Sequence, residues 1–457
     1  RDPLLEFGAW LTGKGILPES AILRRGEIDK RKSYFEVHDL GGLMTDTLES
    51  VRNAFAEVRK EPIPSVEAGD LWRHAHPPYP EVEEPSFDPT TTTRIQVNEA
   101  LNVALDRTLA GGRAAIWGQD VGNRGGIFKV THDLKLKYPS QVRDAPINEP
   151  LIIGTAVGAA LHKELTLLPE IQFGDYSLNC LHWFVHMGNL YWSTNGQTPI
   201  NVTLRTPVDP VMGGALYHSM SVDGFYGNIP GIVLTIPSCA YDAYGLLRTA
   251  TDYKGPVIQL EPKRLYRMKL GPRLPGEPDD AKALQETRRA GKMPEFDDYR
   301  IPFGKAARRR AGRHLTVVAW GWAAWQAVSA ANIVAKKRGI DVEVLDLRTL
   351  IPYDRDAVLE AARRTGKILI AQNDRTFAGF GREIQGAIIE NAPGTVVRLI
   401  GQQNTPAVGQ SRALEDATVL QVEDIVDAIG KLADTDTSAW LDNDLHWLGK
   451  SPNRRLR

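Results

Sequence analysis

Apolar residues recur at three- and four-residue spacing in RIQVNEALNVALDRTLA, from residue 94, and the pattern predicts an amphipathic helix followed by the strand-like RAAIWGQDVG. Strand-like runs (INVTLRTP, GIVLTIP, PVIQLEP) then alternate with helical ones (PLIIGTAVGAALHK, AYDAYGLLRTATD) to about residue 263. From HLTVVAWGWAAWQAV the alternation resumes through GKILIAQ and GTVVRLIG to about Leu432. Such alternation predicts βαβ units on largely parallel sheets. Ahead of both regions, LLEFGAWLTGKG and GGLMTDTLESVRNAFAEVRK read as helical. The expected organisation is α/β: a helical segment (1–61), a Pro-rich linker or wrapping arm (62–93) and two doubly wound parallel-sheet domains (94–270 and 313–435). A polar connector (271–312) separates the domains, and a tail (436–457) follows.

Composition narrows the function classes. Lys plus Arg number 55 against 56 Asp plus Glu, so nothing in the balance favours nucleic acid or an acidic membrane surface. Cys180 and Cys239 are the two cysteines of 457 residues, in no metal-type or redox-type spacing, which fits a reducing compartment. No apolar run reaches the roughly 18 residues of a membrane span. The expectation is a soluble cytoplasmic protein, with the mitochondrial matrix as alternative. The opening RDPLLEFGAW, without Met, suggests a processed or partial chain.

Several motifs read as structural. GNRGG lacks the strand–GxGxxG–helix order of a dinucleotide site, and no GxxxxGK[ST] occurs. GGR at 111–113 reads as a helix stop. His182 and His186 are four apart without the glutamate of a zinc motif. The basic run KAARRRAGR (305–313) reads as a solvated face. One position stands out: in DAPINEPLIIGTAVGAAL, Glu149 heads an apolar helix whose Gly154, Gly158 and Ala159 leave room for a neighbouring backbone. A helix N-terminus favours an acid, but an ionised glutamate is seldom buried unpaired.

The strings GQDVGNRGGIFKVTHDLKLKYP, DAPINEPLIIGTAVGAAL, PEIQFGDY, GGALYHSMS, PGIVLTIPSCAYDAYGLL, PVIQLEPKRLYR, VLDLRTLIPYDRDAVLEAARRTGKILI and FGREIQGAI occur in this order. Together they resemble the beta subunit of the thiamine-diphosphate-dependent 2-oxo-acid dehydrogenases, over roughly residues 94–432. The resemblance implies transketolase-like pyrimidine-binding and C-terminal domains, with oxidative decarboxylation of a 2-oxo acid and acyl transfer to a lipoyl group. It implies that Glu149 stabilises the imino tautomer of the cofactor's aminopyrimidine. It also implies that the Ile147 backbone lies beside that ring and that Gln172 and Tyr176 line it. That pair leans towards branched-chain (2-oxoisovalerate-type) rather than pyruvate or acetoin substrates. His218 matches the histidine facing the substrate carboxylate and the acyl-transfer step.

The resemblance further implies thiamine diphosphate with Mg²⁺ bound mainly by an alpha subunit, whose GDG motif this sequence lacks. The implied partners are that alpha subunit or a fused alpha part, and a lipoyl-bearing acyltransferase. A two-fold alpha2beta2-type assembly is implied with them. RDPLLEFGAWLTGKGILPES resembles an alpha-subunit tail, so a fused alpha–beta polypeptide is expected. Departures occur at LHWFVHMGNLYWSTNG (181–196), AQND (371–374) and GQQNTPAV (401–408). A transketolase-like carboligase and a non-catalytic assembly subunit are the rival readings.

Overall fold

In the computed structural model, residue 14 and residues 43–433 are described, apart from 63–66, 68, 89–90, 163–164, 211–213 and 215. The helix expected in RDPLLEFGAWLTGKG and the tail 436–457 lie outside them. Arg1–Asp70 and Leu71–Arg457 are two compact units. In the first, Leu43–Val58 is helical, with Val51, Phe55 and Val58 exposed.

The second unit carries two sheets. The first is built from β1 (Ala114–Gly118), β2 (Val142–Asp144), β3 (Thr166–Glu170), β4 (Thr203–Val208), β5 (Val233–Thr235) and β6 (Val257–Pro262). Its helices are α1 (Val97–Ala110), α2 (Glu149–Ala160), α3 (Leu181–Ser193) and α4 (Ala240–Asp252). The second sheet contains β7 (Ala307–Arg310), β8 (Leu315–Ala319) and β9 (Val342–Asp346), followed in the chain by β10 (Thr349–Ile351), then β11 (Lys367–Arg375) and β12 (Val396–Gln402). Here α5 (Trp322–Arg338), α6 (Arg355–Thr365), α7 (Gly381–Asn391) and α8 (Val422–Leu432) pack on it.

The strand orders are β10-β5-β6-β4-β3-β1-β2 and β12-β11-β8-β9-β7. All pairs are parallel except β10–β5 and β7–β9. The central strands β4, β6, β8 and β9 are buried on both faces, as parallel strands covered by helices are. The α/β reading with dominant parallel pairing holds, with one addition: β10, from the later half of the chain, completes the first sheet by an antiparallel edge. One apolar cluster runs from Ile152 and Phe184 through Leu260 to Trp320, Leu345 and Ile370. The two sheets therefore share a core, in which each buried side chain of that size contributes about 1.5–3 kcal/mol.

Two expectations change. The basic run is not all solvated: the Arg309 side chain is 3% exposed and its Nε donates to Asp346 Oδ2 at 2.9 Å, with Nη2 on Asp242. A β-bulge explains this: Arg308 pairs with Leu345 and Arg310 with Val344, and Arg309, the extra residue between them, turns into the seam. The same seam holds Arg348, whose Nη1 and Nη2 reach Glu84 Oε1 and Oε2 at 2.7 and 2.9 Å. Glu84 lies in the Pro-rich stretch, so that stretch is docked there, and Tyr241 Oη donates to the Pro85 carbonyl at 2.9 Å. Burial disfavours the Asp242 charge, yet Arg309 and Arg348 hold its carboxyl below the ordinary range.

The small residues of α2 are the second change. A Cβ on Gly154 would stand 3.0 Å from Trp183 Cζ2, and the three nearest atoms it would meet all belong to that indole. Gly158 faces open space. The run accommodates one indole on α3 rather than a close backbone approach.

Candidate active site

Parallel strands bring the loops after their carboxyl ends to one edge of the sheet, where α/β folds bind ligands. Gln119 and Asp120 follow β1, Gln172 and Tyr176 follow β3, and His218 follows β4. Glu149 reaches the same edge from the start of α2. The helix begins there because Asn148 is extended (φ −158°) and its side chain accepts the Leu151 amide at 2.9 Å, with Pro150 in the first turn.

Glu149 is 8% exposed. Its Oε1 accepts one hydrogen bond from Gln119 Nε2 at 3.1 Å, and Gln119 is itself buried. A carboxylate can accept about four such bonds, so the group retains capacity for a donor from a ligand. Gln172 Nε2 donates to Asp120 Oδ2 at 2.9 Å, across from β3 to β1. Asp120 takes φ 57°, a left-handed conformation that short polar side chains tolerate. Burial raises the Tyr176 phenol, with smaller contributions from Asp175, Tyr217 and Glu149. The Cys180 thiol is pushed up to about 12 by burial and then by Glu149. Tyr176 and Cys180 thus share the Glu149 neighbourhood.

His218 sits in a left-handed conformation, φ 59°. Its ring lies 4.0 Å from the Phe173 ring and 5.5 Å, edge-on, from Tyr176. Lys263, 4% exposed, donates from Nζ to the His218 carbonyl and stands 6.0 Å over the Phe173 ring. Burial lowers the Lys263 ammonium, against Asp209, Asp175 and Glu415, which raise it. His218 Nδ1 is buried without a hydrogen-bond partner in the structure.

Glu149, Gln172, Tyr176 and His218 therefore converge on one edge. Ile147 is on that edge too, but its side chain is 86% exposed and takes no part in the cluster. Gln119, Asp120, Phe173 and Lys263 were not foreseen. The signal for the first two was their place directly after a strand; Phe173 and Lys263 act through His218 and leave no mark in spacing. His182 and His186 lie with ring centroids 6.0 Å apart on α3. Among the described residues no group of three or more His, Cys, Asp or Glu side chains is arranged to hold a metal ion.

Residues 92–269 match the transketolase pyrimidine binding domain and residues 304–425 the transketolase C-terminal domain. The chain is 31% identical over 343 residues to the 2-oxoisovalerate dehydrogenase subunit beta of Bacillus subtilis, covering 74% of this chain and 98% of that protein. To the corresponding subunit of Pseudomonas aeruginosa it is 34% identical over 305 residues (66% and 83%). To the pyruvate dehydrogenase E1 component subunit beta of Acholeplasma laidlawii it is 34% identical over 280 residues (60% and 78%). A solved structure described as a split gene transketolase, inactive beta4 tetramer, aligns with TM-score 0.53 at 19% identity over 74% of this chain and 98% of that one, a likeness of fold alone. Two transketolase domains in the right order, at this identity over nearly the whole length of the Bacillus protein, place the chain in the transketolase-like, thiamine-diphosphate-dependent family of 2-oxo-acid dehydrogenase beta subunits.

Proposed function

We propose that this chain supplies the pyrimidine half of an enzyme that oxidatively decarboxylates a 2-oxo acid of the branched-chain, 2-oxoisovalerate type. The acyl group passes to a lipoyl-bearing partner. The observation that carries the reading is Glu149: a buried carboxylate at the carboxyl edge of a parallel sheet, bonded to a single neutral amide. That donor set fits an aminopyrimidine, which presents a ring nitrogen to one carboxylate oxygen. When bound, thiamine diphosphate supplies the carbon nucleophile and the electron sink.

The chain's residues do the rest. Glu149 would hold the aminopyrimidine of thiamine diphosphate and control its protonation, while Gln119 fixes Oε1. Gln172 and Tyr176 wall the pocket, and the Ile147 backbone borders it. His218, with Nδ1 unpartnered, orients the 2-oxo carboxylate and handles a proton during acyl transfer, since imidazole switches between donor and acceptor near neutral pH. Mg²⁺ and the diphosphate belong to an alpha subunit or fused alpha part, in an alpha2beta2-type assembly. Ile147 and Leu151, exposed beside Glu149, offer that partner an apolar contact. Among the described residues no helix is long and apolar enough to cross a membrane, and the cytoplasm is the proposed compartment.

The test is dye-coupled oxidation of 3-methyl-2-oxobutanoate and pyruvate, with thiamine diphosphate and Mg²⁺, by this chain alone and with its alpha partner. Turnover only with the partner, faster on the branched acid, is the expected result. A silent complete assembly would overturn the reading in favour of an assembly subunit. Formation of carbon–carbon bonds without lipoyl acylation would overturn it in favour of a carboligase.

A further inference from the structure

Several buried carboxyls of this molecule face an arginine: Glu170 and Glu261 share Arg205, Asp242 and Asp346 share Arg309, and Glu343 meets Arg308. Asp223 and Asp374 face each other instead. Asp223 lies in the segment that follows His218, and Asp374 lies on β11, so the pair spans the seam between the two sheets. The two residues are 1% and 6% exposed.

Trp320 Nε1 donates to Asp223 Oδ2 at 2.9 Å, the Arg375 amide to Asp374 Oδ1 at 2.7 Å and the Gly224 amide to Asp374 Oδ2 at 3.3 Å. Asp223 Oδ1 is buried with no donor from elsewhere in the chain. The carboxyls are hydrogen-bonded to each other, and that bond requires a proton on one of them, because an ionised carboxylate only accepts. The charged groups nearby do not replace it. Lys263 stands towards Asp209, Arg375 Nε donates to the Thr405 carbonyl at 3.2 Å, and Arg264 lies over the Trp322 ring. Ser221, Asn373 and Trp322 beside the pair are neutral. Burial raises both carboxyls, and the neighbouring Asp223 adds to the rise at Asp374, which is pushed up to about 8.

We propose that Asp223 and Asp374 share one proton and act as a pH-released latch between the two sheets. While the proton is held, the pair ties the segment after His218 to β11, alongside the Gly224 amide on Asp374 and the Ser221 hydroxyl, which donates to the Asn373 carbonyl at 3.4 Å. When hydroxide removes the proton as water, two like charges are left in contact in a poorly screened seam, and the tie opens. In the unfolded chain both carboxyls ionise near about 3.9, whereas the folded chain keeps the shared proton to about 8. The latch's contribution to stability is therefore fully present below the unfolded value and is lost as pH rises through the folded one. The latch stands independently of the proposed reaction.

Asp223→Asn tests it, because the amide keeps an oxygen for Trp320 and gives Asp374 a fixed donor, so no proton need be shared. Infrared difference spectra of the full chain, parent minus variant near neutral pH, should show the C=O stretch of a protonated carboxyl, a band that ionised carboxylates lack. In the parent that band should fade as pH rises past about 8. In urea unfolding between about pH 6 and pH 8, the folding constant of the parent should fall relative to that of the variant by up to about tenfold per pH unit. Asp374→Asn gives the same readouts if Asp223→Asn does not fold. A parent without the band near neutral pH, or stability profiles that run parallel in parent and variant, overturns the proposal.

Discussion

Glu170 and Glu149 are both buried glutamates at the carboxyl edge of the first sheet, one ending β3 and the other opening α2, and they are partnered in opposite ways. Glu170, at the end of β3, meets Arg205 Nη1 at 2.8 Å and the Ile127 amide at 3.3 Å. Arg205 also forks onto Glu261, Nε and Nη2 each at 2.8 Å, and Tyr266 Oη donates to Glu261 Oε2 at 2.6 Å. Every charge there has a geometric partner within the chain. Glu149 has one neutral amide. A charge built to hold a fold is met from several sides; one built to meet a ligand is left with capacity. The contrast separates stability from activity, and each half of it can be attacked.

The largest stability effect is expected from Arg205→Met, which strands two carboxylates in the core and should cost about 3–5 kcal/mol, read from urea unfolding. Retention of wild-type stability would break the comparison. Glu149→Gln should leave unfolding within about 1 kcal/mol of the parent while lowering 2-oxo-acid turnover of the complete assembly at least about 100-fold. Turnover near the parent's would remove Glu149 from the chemistry. Gln119→Leu sharpens the same side: loss of the bond that fixes Oε1 should reduce kcat by about tenfold, for roughly 1 kcal/mol of stability.

The smallest effect concerns Asp298, an intermediate case at the rim. Burial raises its carboxyl, but hydrogen bonds from Arg248, Tyr244 and Arg300 more than reverse this and hold it below the ordinary range. A depressed folded pKa means a contribution fully present above the unfolded value of about 3.9 and lost as pH falls through the folded one. Asp298→Asn should therefore cost stability at pH 7, about 1 kcal/mol or less given its exposure, and the difference from the parent should shrink below about pH 4. An equal deficit at every pH would show that packing, not charge, is what Asp298 contributes.

Much of this architecture was legible in the chain. Alternating apolar runs located the buried strands, because parallel strands must be apolar on both faces. What escaped depends on partners remote in sequence. β10 is three residues long and reads as part of a loop; its pairing with β5, some 115 residues earlier, is a tertiary choice. Arg309 looked like one of a solvated run, since nothing local reveals Asp242 and Asp346 across the seam. At the site, Glu149 and His218 were found through ordered motifs, whereas Gln119 and Lys263 matter only through the residues they hold. Gly154 misled because a gap in a helix surface does not say whether backbone or indole fills it.

The strand β10 also bears on modularity. Although two domains are distinguishable, the later one lends a strand to the earlier one's sheet. A graft ending before Thr349 would leave β5 with a bare, hydrogen-bonding edge, the kind of surface on which unrelated chains stack and precipitate. The halves are thus tied together: a crossover before Thr349 strips the first sheet of its edge strand, and one beyond Ile351 divides the second sheet between β9 and β11.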